Sequence, residues 1–451
     1  MSRPSGTVPL PRPGPRAQLH YLRHLFTQPH RVLDEIRARH GSVVALGAGP
    51  ARLAVVGDPA TISDLFSEPT DSFRWNHRFN VVAFWVGTSA IIVSDGPDHR
   101  RRRAALQVGF SRRRLNGWIP MIVDATDAAV DGLIASLDEP GRTIDLYPVG
   151  RAVVLDVVVR ALGGPHLARR VREIDDVLQQ GQDFIERSAI RQMPHPFPGG
   201  ARRRLQEGRR ALDAMVDDEI ARIRRSAGEP EGTVLEALVG GGDLSDAEIR
   251  DQVATLIGAG FDTTAATLAW TLLRATDTPG LWDRIAAEAD AAFAPLGDGR
   301  EPDHTTLAAL DLAERSVREA LRLHPPGAFG VREAVRDVTA GGYRIPRGTL
   351  IAWSPHLAGR DPRCWPDPLD FDPDRHRDPT PEQAAQSRAA WVPFGGGARN
   401  CLGFALAQIE LTLIVARLAQ RLDLAPAGPA VPPPTRRSRP QGGAPLRVTP
   451  R

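Results

Sequence analysis

The region between residues 245 and 280 constrains the fold most strongly, because its pattern predicts a single helix that crosses a whole domain. The capping box Ser245-Asp246-Ala247-Glu248 marks the start of this helix, and Thr278-Pro279-Gly280 marks its end after Asp277. At 1.5 Å per residue, a helix of this length extends about 48 Å. The sequence from Asp98 to Leu323 has the same mainly helical pattern. The chain is therefore predicted to be mainly α, with this helix at its centre.

Short β-like runs on either side of the helical region predict a small β-rich lobe. The runs Ser42–Leu46 and Arg52–Val56 lie early in the chain, with a helical pattern on both sides. A second β-rich stretch extends from Val331 to Trp353, and Pro346-Arg347-Gly348 within it predicts a hairpin turn. The expected fold class is thus mainly α with a small β-rich lobe.

Proline and glycine mark the remaining boundaries. Residues 1–16 are rich in Pro, Arg and Gly and predict an extended lead-in, and residues 17–451 are predicted to form a single domain. A coil rich in Pro and Asp is predicted over residues 361–393, which is unusually long for chain without regular structure. A last helix, from about Leu402 to Leu422, precedes a Pro-rich tail with short β-like ends.

Charge and cysteine content exclude several classes of protein. The 57 basic and 54 acidic residues leave a net charge of +3, which argues against nucleic acid as the main partner. The two cysteines, Cys364 and Cys401, indicate no disulfide framework and favour a reducing compartment. No apolar run has the length of a membrane span, and the first residues lack the apolar region of a signal peptide. A cytoplasmic protein is expected.

The ten residues Phe394–Gly403, with the sequence Phe-Gly-Gly-Gly-Ala-Arg-Asn-Cys-Leu-Gly, combine features that a metal-binding thiolate requires. Cys401 precedes the predicted last helix, whose dipole favours negative charge, so a lowered thiol pKa is expected. The glycines allow the backbone to pass closely under a flat cofactor, and Gly403 removes a side chain that would meet it. Arg399 is placed to pair with a carboxylate of that cofactor. The alternative is a buried structural cysteine beside a glycine-rich turn.

The centre of the long helix departs from what helical propensity favours. Gly258, Gly260, Asp262, Thr263 and Thr264 cluster within an otherwise apolar run. Glycine costs about 1 kcal/mol relative to alanine inside a helix, and Asp and Thr compete for backbone hydrogen bonds. Such a conflict within a strong element is typical of a functional site, with a kinked core helix as the alternative.

Four motifs in order resemble those of the cytochrome P-450 family, and the resemblance covers nearly the whole chain. It implies the cytochrome P-450 fold, haem b (iron protoporphyrin IX) as the cofactor, and Cys401 as the thiolate ligand of the haem iron. The four motifs are His99-x-x-x-Arg103, Ala259-Gly260-Phe261-Asp262-Thr263-Thr264, Glu319-x-x-Arg322, and Phe-x-x-Gly-x-Arg-x-Cys-x-Gly over Phe394–Gly403.

The resemblance also assigns roles to individual residues. Asp262 and Thr263 are implied to be catalytic, as the members of a proton relay beside a groove for dioxygen. Glu319 and Arg322, joined by Arg375 from the later coil, are implied to form a buried structural group rather than a catalytic one. The residues implied to contact the haem or its propionates are His99, Arg103, Arg332, Phe394, Gly397, Arg399, Cys401 and Gly403.

Aromatic and apolar side chains supply the candidates for substrate contact. The segment Phe73–Val93 carries several aromatic residues among few helix signals, which indicates either a core plug or a pocket wall. Its aromatic residues are Phe73, Trp75, Phe79, Phe84 and Trp85. The expected pocket residues are Phe84, Trp85, Ala259, Phe261 and Phe329, and any of them could belong to the core instead.

The activity implied by the resemblance is insertion of one oxygen atom from O2 into a small apolar organic substrate, such as a lipid, terpenoid, steroid or polyketide. No flavin or iron–sulfur module is recognisable, so a separate ferredoxin or flavodoxin with its reductase is expected to supply electrons to a monomer. One alternative is a haem-thiolate enzyme that uses peroxide or works without O2, against which the Asp262–Thr263 pair argues. The other is a non-enzymatic haem- or ligand-binding protein.

Overall fold

Helices make up most of the structure. The computed structural model describes residues 7–77, 83–186, 201–226, 231–296, 300–428 and 439–451. The helices are α1 (Pro15–His24), α2 (Pro29–His40), α3 (Pro59–Ser67), α4 (Ala83–Val86), α5 (Gly96–Gly109), α6 (Arg112–Gly117), α7 (Ile119–Ala135), α8 (Leu146–Ala168), α9 (Val171–Glu186), α10 (Ala201–Arg225), α11 (Val234–Gly241), α12 (Asp246–Asp277), α13 (Leu281–Phe293), α14 (His304–Ala308), α15 (Asp311–Leu323), α16 (Pro355–Ala358), α17 (Pro381–Ala390) and α18 (Phe404–Arg421). The strands are β1 (Val8–Pro9), β2 (Val43–Leu46), β3 (Leu53–Val56), β4 (Phe73–Arg74), β5 (Arg142–Asp145), β6 (Gly330–Ala334), β7 (Val338–Ala340), β8 (Tyr343–Ile345), β9 (Leu350–Trp353), β10 (Leu422–Pro426) and β11 (Pro445–Pro450).

The central helix α12 begins and ends where the sequence predicts. The Ser245 hydroxyl accepts a hydrogen bond from the Glu248 N–H at 3.3 Å, and the Glu248 carboxylate accepts one from the Ser245 N–H at 3.1 Å, which closes the capping box. Helix α12 packs against α8, α15 and α18. Its contact with α8 is close, because a Cβ at Gly150 of α8 would lie 2.7 Å from the Leu268 side chain.

In the described ranges, α12 is also the one helix that is long and apolar enough to cross a membrane by length and composition alone. Its most apolar window is 67% buried inside the protein. Burial of this extent against other helices is typical of the core helix of a folded domain.

The β-rich lobe is built on a mixed sheet with the strand order β2-β3-β9-β6-β4. Strands β2 and β3 pair antiparallel from Val43 opposite Val56 to Leu46 opposite Leu53, so the two early β-like runs are confirmed. Two smaller sheets have the orders β1-β8-β7 and β10-β11-β5. The predicted fold class, mainly α with a small β-rich lobe, is confirmed.

The hairpin predicted at residues 346–348 is wrong, although a turn forms there. Gly348 has a φ of +77°, and the Thr349 N–H donates to the Pro346 carbonyl at 3.2 Å. Strand β8 before the turn pairs with β7 and β1, whereas β9 after the turn pairs with β6 and β3. The turn therefore carries the chain from one sheet to another. Local turn residues identify the bend but do not specify which strands pair across it.

The coil predicted over residues 361–393 is also shorter than expected. A 3₁₀ turn at Pro373–His376 and helix α17 interrupt it. Helix α17 has a capping box between Thr380 and Gln383, but Ala390 is its only buried residue. Without an apolar face, the helix has no hydrophobic periodicity to reveal it in the sequence.

At the other end of the chain, β1 pairs with β8 and α1 begins at Pro15, just before the end of the predicted lead-in.

A buried ionic network holds the segment after α16 against helix α15. The Glu319 carboxylate, which is fully buried, accepts hydrogen bonds from Arg322 at 2.7 and 2.8 Å and from Arg375 at 2.8 Å. The Asp372 N–H and the His376 ring complete its shell at 3.0 Å each, and this histidine was not predicted. Arg322 also donates to the carbonyl oxygens of Gly359, Pro368 and Asp370.

Candidate active site

A cavity of about 470 Å³ lies between the middle of α12 and the cysteine loop, Phe394–Gly403, which precedes α18. This size is within the range of small-molecule and cofactor sites. Most of its described lining is apolar. The lining residues from α12 are Thr255, Leu256, Ala259, Gly260, Thr263, Thr264 and Thr267, and those from the cysteine loop include Phe394, Arg399, Asn400, Cys401, Leu402 and Gly403.

Backbone hydrogen bonds shape the cysteine loop. The Cys401 N–H donates to the Phe394 carbonyl at 2.9 Å, and the Asn400 N–H donates to the Gly397 carbonyl at 3.1 Å. Gly397 has a φ of +65°, and a Cβ there would lie 2.5 Å from the Phe66 carbonyl oxygen. Gly397 is therefore required by the backbone of Phe66. It is not among the residues that line the cavity, and its contact with haem stays a prediction. Gly403 does line the cavity, and among the described residues, its two chain neighbours aside, no atom lies within 4 Å of a Cβ placed on it.

The thiol of Cys401 faces the cavity, but the loop by itself does not lower its pKa. Burial raises the pKa of Cys401, and this effect exceeds the opposing effects of the Gly403 N–H, the Arg103 guanidinium and the Phe404 N–H. The expected lowering of the pKa is thus wrong for the protein groups alone. A bound cation is the stronger influence, since metal coordination deprotonates a thiol outright.

Two of the arginines implied to bind haem lie around Trp75 at one edge of the cavity. Arg399 lines the cavity, lies 3.9 Å from the Trp75 ring centroid, and pairs with Asp95 at 3.1 Å. Arg332 lies one layer behind, 5.5 Å from the same ring centroid, and donates to the Leu65 carbonyl at 3.2 Å. Burial lowers the pKa of Arg332 to about 10, with a further contribution from Arg399. Both guanidinium groups have a buried Nε without a hydrogen-bond partner within the described residues.

Arg103 and His99 form the adjacent part of this edge. Arg103 donates to the backbone oxygen of Asn400 at 3.0 Å and to its side-chain oxygen. His99 lies one turn earlier on α5 and is buried. Burial, together with Arg399, Arg103 and Arg100, lowers the pKa of His99 to about 4, so the imidazole is neutral at pH 7. A neutral imidazole can still donate one hydrogen bond to an anion.

These residues fit a haem group on physical grounds. Arg103, Arg332 and Arg399 lie at this edge. Among the described residues, the one ion pair that any of them makes with an acidic side chain is that of Arg399 with Asp95. Buried cations with unpaired N–H groups are costly unless an anion compensates them, and the two propionates of haem are suitable anions. Cys401 and the apolar walls would accommodate the iron and the macrocycle. The site thus offers both a sulfur ligand and the matching charge.

The α12 wall separates the two residues implied to be catalytic. Thr263 lines the cavity, and its hydroxyl donates to the Ala259 carbonyl at 2.7 Å within the helix. Asp262 is next to it in sequence but faces α8, where its Oδ1 accepts a hydrogen bond from the Tyr147 hydroxyl at 3.3 Å. Because adjacent helical residues point about 100° apart, only a rotation of the Asp262 side chain would bring it to the cavity.

The structure places only part of the expected pocket at the cavity. Of the expected residues Ala259 lines it, and so does Trp75 from the aromatic segment. Phe261 is instead buried between α12 and α8, with the Arg151 guanidinium 5.0 Å from its ring centroid. Phe329 packs edge-on against Phe26 outside the cavity lining. Phe79 and the side chain of Phe84 lie outside the described residues, and Phe73 belongs to the core of the β-rich lobe.

Trp85 fills a notch in α12 rather than contributing to the cavity wall. A Cβ at Gly258 would lie 2.1 Å from the Trp85 ring, and a Cβ at Gly181 of α9 would lie 2.5 Å from its Nε1. The two glycines thus admit the indole between the helices. Gly258 serves tryptophan packing, while Gly260 lines the cavity.

Glu410 of α18 is a buried group that the sequence reasoning missed. It lines the cavity, is 1% exposed, and its Oε1 has no hydrogen-bond partner in the described part of the chain. Burial raises the pKa of Glu410 well above its ordinary value. A polar residue on the apolar face of the last helix was the available signal, because such faces rarely hold an unpaired carboxyl.

We expect Glu410→Gln to change how stability depends on pH. Above the ordinary glutamate pKa the unfolded chain loses this proton while the folded protein keeps it. Folded wild type therefore loses stability, by up to about 1.4 kcal/mol per pH unit, until pH reaches the raised pKa. Glutamine has no such dependence, so the variant should gain in Tm relative to wild type as the pH rises above the ordinary glutamate pKa. Glu382→Gln is the control, since Glu382 is exposed, and its Tm should follow that of wild type at every pH. The same behaviour in Glu410→Gln would contradict a buried neutral carboxyl at Glu410.

Comparison with known proteins identifies the family of the chain. The family profile of cytochrome P450 matches residues 4–445. The cyclooctat-9-en-7-ol 5-monooxygenase of Streptomyces melanosporofaciens is 30% identical over 92% of this chain and 89% of its own length. The pentalenene oxygenase of Streptomyces avermitilis is 31% identical over 87% of this chain and 86% of its own length. The fold is similar to that of the solved structure of a retinoic acid-bound cyanobacterial CYP120A1, with a TM-score of 0.82 and 23% sequence identity. The match covers 99% of this chain and 100% of the chain in that structure.

A cysteine facing a cavity edged with arginines, in this helical fold, defines the class of haem-thiolate proteins. The chain belongs to the cytochrome P450 family. It is accordingly an oxidoreductase of the monooxygenase type that uses haem, O2, an apolar substrate and a redox partner. The expectation of a monooxygenase is confirmed, and the non-enzymatic alternative is not supported.

Proposed function

We propose that this enzyme inserts one atom of O2 into a cyclic terpenoid, with haem b bound through Cys401 and electrons from a separate ferredoxin or flavodoxin and its reductase. The observation that carries the proposal is the cavity itself, which Cys401 and Thr263 both line. In this geometry one small space holds a metal ligand, a hydroxyl and apolar walls. That combination suits oxidation of an apolar carbon centre.

The described residues would divide the work of holding haem b. Cys401 would ligate the iron, and Arg103, Arg399 and His99 would bind the propionates. Arg332 would support them from behind, because its guanidinium and that of Arg399 both lie against the Trp75 ring. When bound, haem with a thiolate ligand supplies the chemistry that cleaves the O–O bond. Phe394, which lines the cavity with Cys401 and packs edge-on against Phe404 at a centroid distance of 4.7 Å, would contribute to the apolar wall around the macrocycle.

The protein's own chemical contribution is proton delivery and exclusion of water. The Thr263 hydroxyl can exchange its hydrogen bond to Ala259 for one to a group in the cavity, and so place a proton there. Asp262 would receive protons from the α8 side. The apolar side chains along the cavity limit other water from reaching the same point.

A terpenoid substrate is supported by the walls and by the relatives. Ile91, Ile92, Leu256, Ala259 and Pro326 line the cavity and offer no charge to a bound ligand. The two Streptomyces relatives are named for cyclooctat-9-en-7-ol and pentalenene, both cyclic terpenoids. A compact hydrocarbon ring system buries apolar surface in such a site without leaving polar groups unpaired.

The proposal of a separate electron donor is supported by one surface. Arg100, Arg112 and Arg113 are exposed on α5 and α6, and α5 contacts the cysteine loop through Arg103 and Asn400. This basic surface suits an acidic electron-transfer protein close to Cys401. The monomeric state and cytoplasmic location remain predictions from the sequence.

Turnover of pentalenene by the haem-loaded enzyme tests the proposal. With NADPH, a ferredoxin and its reductase, we expect a product that carries one oxygen atom from isotopically labelled O2. Hydrogen peroxide alone should support much slower turnover. Efficient turnover with peroxide but not with the reductase chain would instead identify a peroxide-using enzyme. Failure with pentalenene but success with another terpenoid would correct the substrate and leave the reaction in place.

Thr263→Ala is expected to separate electron consumption from product formation. The variant should fold and bind haem as wild type does, but product per NADPH should fall about 10-fold or more as electrons are diverted to hydrogen peroxide, because a positioned proton donor is lost. Thr276→Ala is the matched control, since Thr276 makes the same hydrogen bond within α12 near the end of the helix. An unchanged yield in Thr263→Ala would remove Thr263 from the relay.

A further inference from the structure

Tyr147 connects the catalytic helix to the protein exterior at the point where Asp262 faces away from the cavity. It lies in the first turn of α8, and its hydroxyl donates to Asp262 Oδ1 at 3.3 Å. The Arg439 guanidinium lies 6.0 Å from the Tyr147 ring centroid. All three side chains are partly buried. They form a short polar path from the surface to the middle of α12.

The backbone around Tyr147 fixes the position of its ring. Asp145 caps α8, and its Oδ1 accepts from the Tyr147 N–H at 3.0 Å and from the Ala444 N–H at 2.7 Å. This carboxylate thereby ties the start of α8 to the segment that leads into β11. Because Gly150 lets α8 approach α12 closely, a side chain in the first turn can reach the acid on the neighbouring helix.

The surrounding charges keep the phenol as a hydrogen-bond donor. Burial raises the pKa of Tyr147, and the nearby Asp262 charge raises it further, while Arg439 and Arg151 oppose the rise. Arg151, one turn along α8, is held by Asp175 through two hydrogen bonds at 2.9 and 2.5 Å. Its charge is thus already compensated, so the tyrosine hydroxyl remains a neutral donor to Asp262.

We propose that Tyr147 is a positioning residue for proton delivery: its hydroxyl orients the Asp262 carboxylate, which takes up a proton on the α8 side of α12 for transfer to Thr263. The inference rests on the proposed function, because it assigns Tyr147 to the proton relay of that reaction. Tyr147 is not among the residues that line the cavity. It acts through Asp262, whose side chain must collect a proton on the α8 side before Thr263 can supply one in the cavity.

Tyr147→Phe tests the role, because it removes the hydroxyl and keeps the ring. With pentalenene, NADPH, a ferredoxin and its reductase, we expect kcat and product per NADPH to fall about 10-fold, as for loss of one hydrogen bond to a charged group. KM and the spectrum of the reduced, carbon monoxide-treated protein should not change. Tyr343→Phe removes the same atom in β8 and should behave as wild type. Wild-type kcat and yield in Tyr147→Phe would overturn the proposal.

A second measurement tests the contact without turnover. The chain contains three tyrosines, Tyr21, Tyr147 and Tyr343, so ¹³C labelling of the phenol carbon gives three assignable resonances in the haem-loaded, carbon monoxide-bound enzyme. Asp262→Asn should shift the Tyr147 resonance and leave the other two in place. An unmoved Tyr147 resonance would overturn the proposal even if activity changes. A shifted resonance in an enzyme that oxidises no terpenoid would instead locate the failure in the proposed function.

Discussion

Replacement of Glu319 with alanine is expected to lower the free energy of unfolding by about 3–5 kcal/mol, since it leaves buried cations without their carboxylate. Arg322 is 1% exposed and Arg375 also pairs with this carboxylate, so neither can regain water without local unfolding. The segment that the network holds leads into the cysteine loop. We therefore expect loss of haem at a temperature where wild type retains it, measured together with the apparent Tm.

The matched control for this prediction is Glu314→Ala, on the exposed side of the same helix. It should change stability by no more than about 0.5 kcal/mol. A similarly small effect at Glu319 would show that the network contributes little to the fold.

The same network makes the free energy of unfolding depend on pH in acid. Although burial opposes ionisation, hydrogen bonds from Arg322 and His376 lower the pKa of Glu319 to about 2. Its contribution to stability is therefore complete above the ordinary pKa of 4.5 and decreases as the pH falls toward 2. In Glu319→Gln, this part of the pH dependence should be missing.

Cys401→Ala is expected to abolish oxygenation, with turnover of pentalenene reduced by more than about 100-fold. Changes to groups that merely support a metal ligand cost 10- to 100-fold, and this substitution removes the ligand itself. Alanine offers no atom that can bind iron. The arginines at the cavity edge should still retain some haem through its propionates, so the loss of activity should exceed the loss of haem.

Cys364→Ala provides the control, since it removes a thiol that lies beside Asp361 and Arg363, away from the cavity. Its turnover should match that of wild type. Residual activity above a tenth of wild type in Cys401→Ala would show that another group ligates the iron or that the reaction does not need this ligand.

Local signals predicted those parts of the structure that local interactions determine. The start of α12 follows from the capping box at Ser245, and its end follows from Pro279 and Gly280. The ionic partners Glu319 and Arg322 lie three residues apart on one helix, so spacing alone brings them together. In such cases the sequence neighbours are also the structural neighbours.

Parts that depend on distant partners were not predictable in this way. The Pro346 turn was recognised, but the pairing of β8 with β7 rather than β9 depends on strands elsewhere in the chain. The close approach of Gly397 to the Phe66 backbone likewise joins two segments far apart in the chain, and no pattern in either segment indicates it.

The sequence also could not predict whether an aromatic side chain on or beside α12 points into the cavity or into the core. Phe261 and Trp85 are as apolar as pocket residues, and only the packing of α8 and α9 assigns them to the core. The Tyr147–Asp262 contact likewise joins residues far apart in the chain, and no pattern in either segment indicates the other.

The absorption spectrum of the reduced, carbon monoxide-treated protein tests the ligand assignment most directly. Protein from cells supplied with haem precursor should show the strongly red-shifted Soret band that a thiolate ligand produces, and Cys401→Ala should lack it. A folded wild-type protein that is colourless, or that shows the band of nitrogen-ligated haem, would contradict the bond between this sulfur and iron.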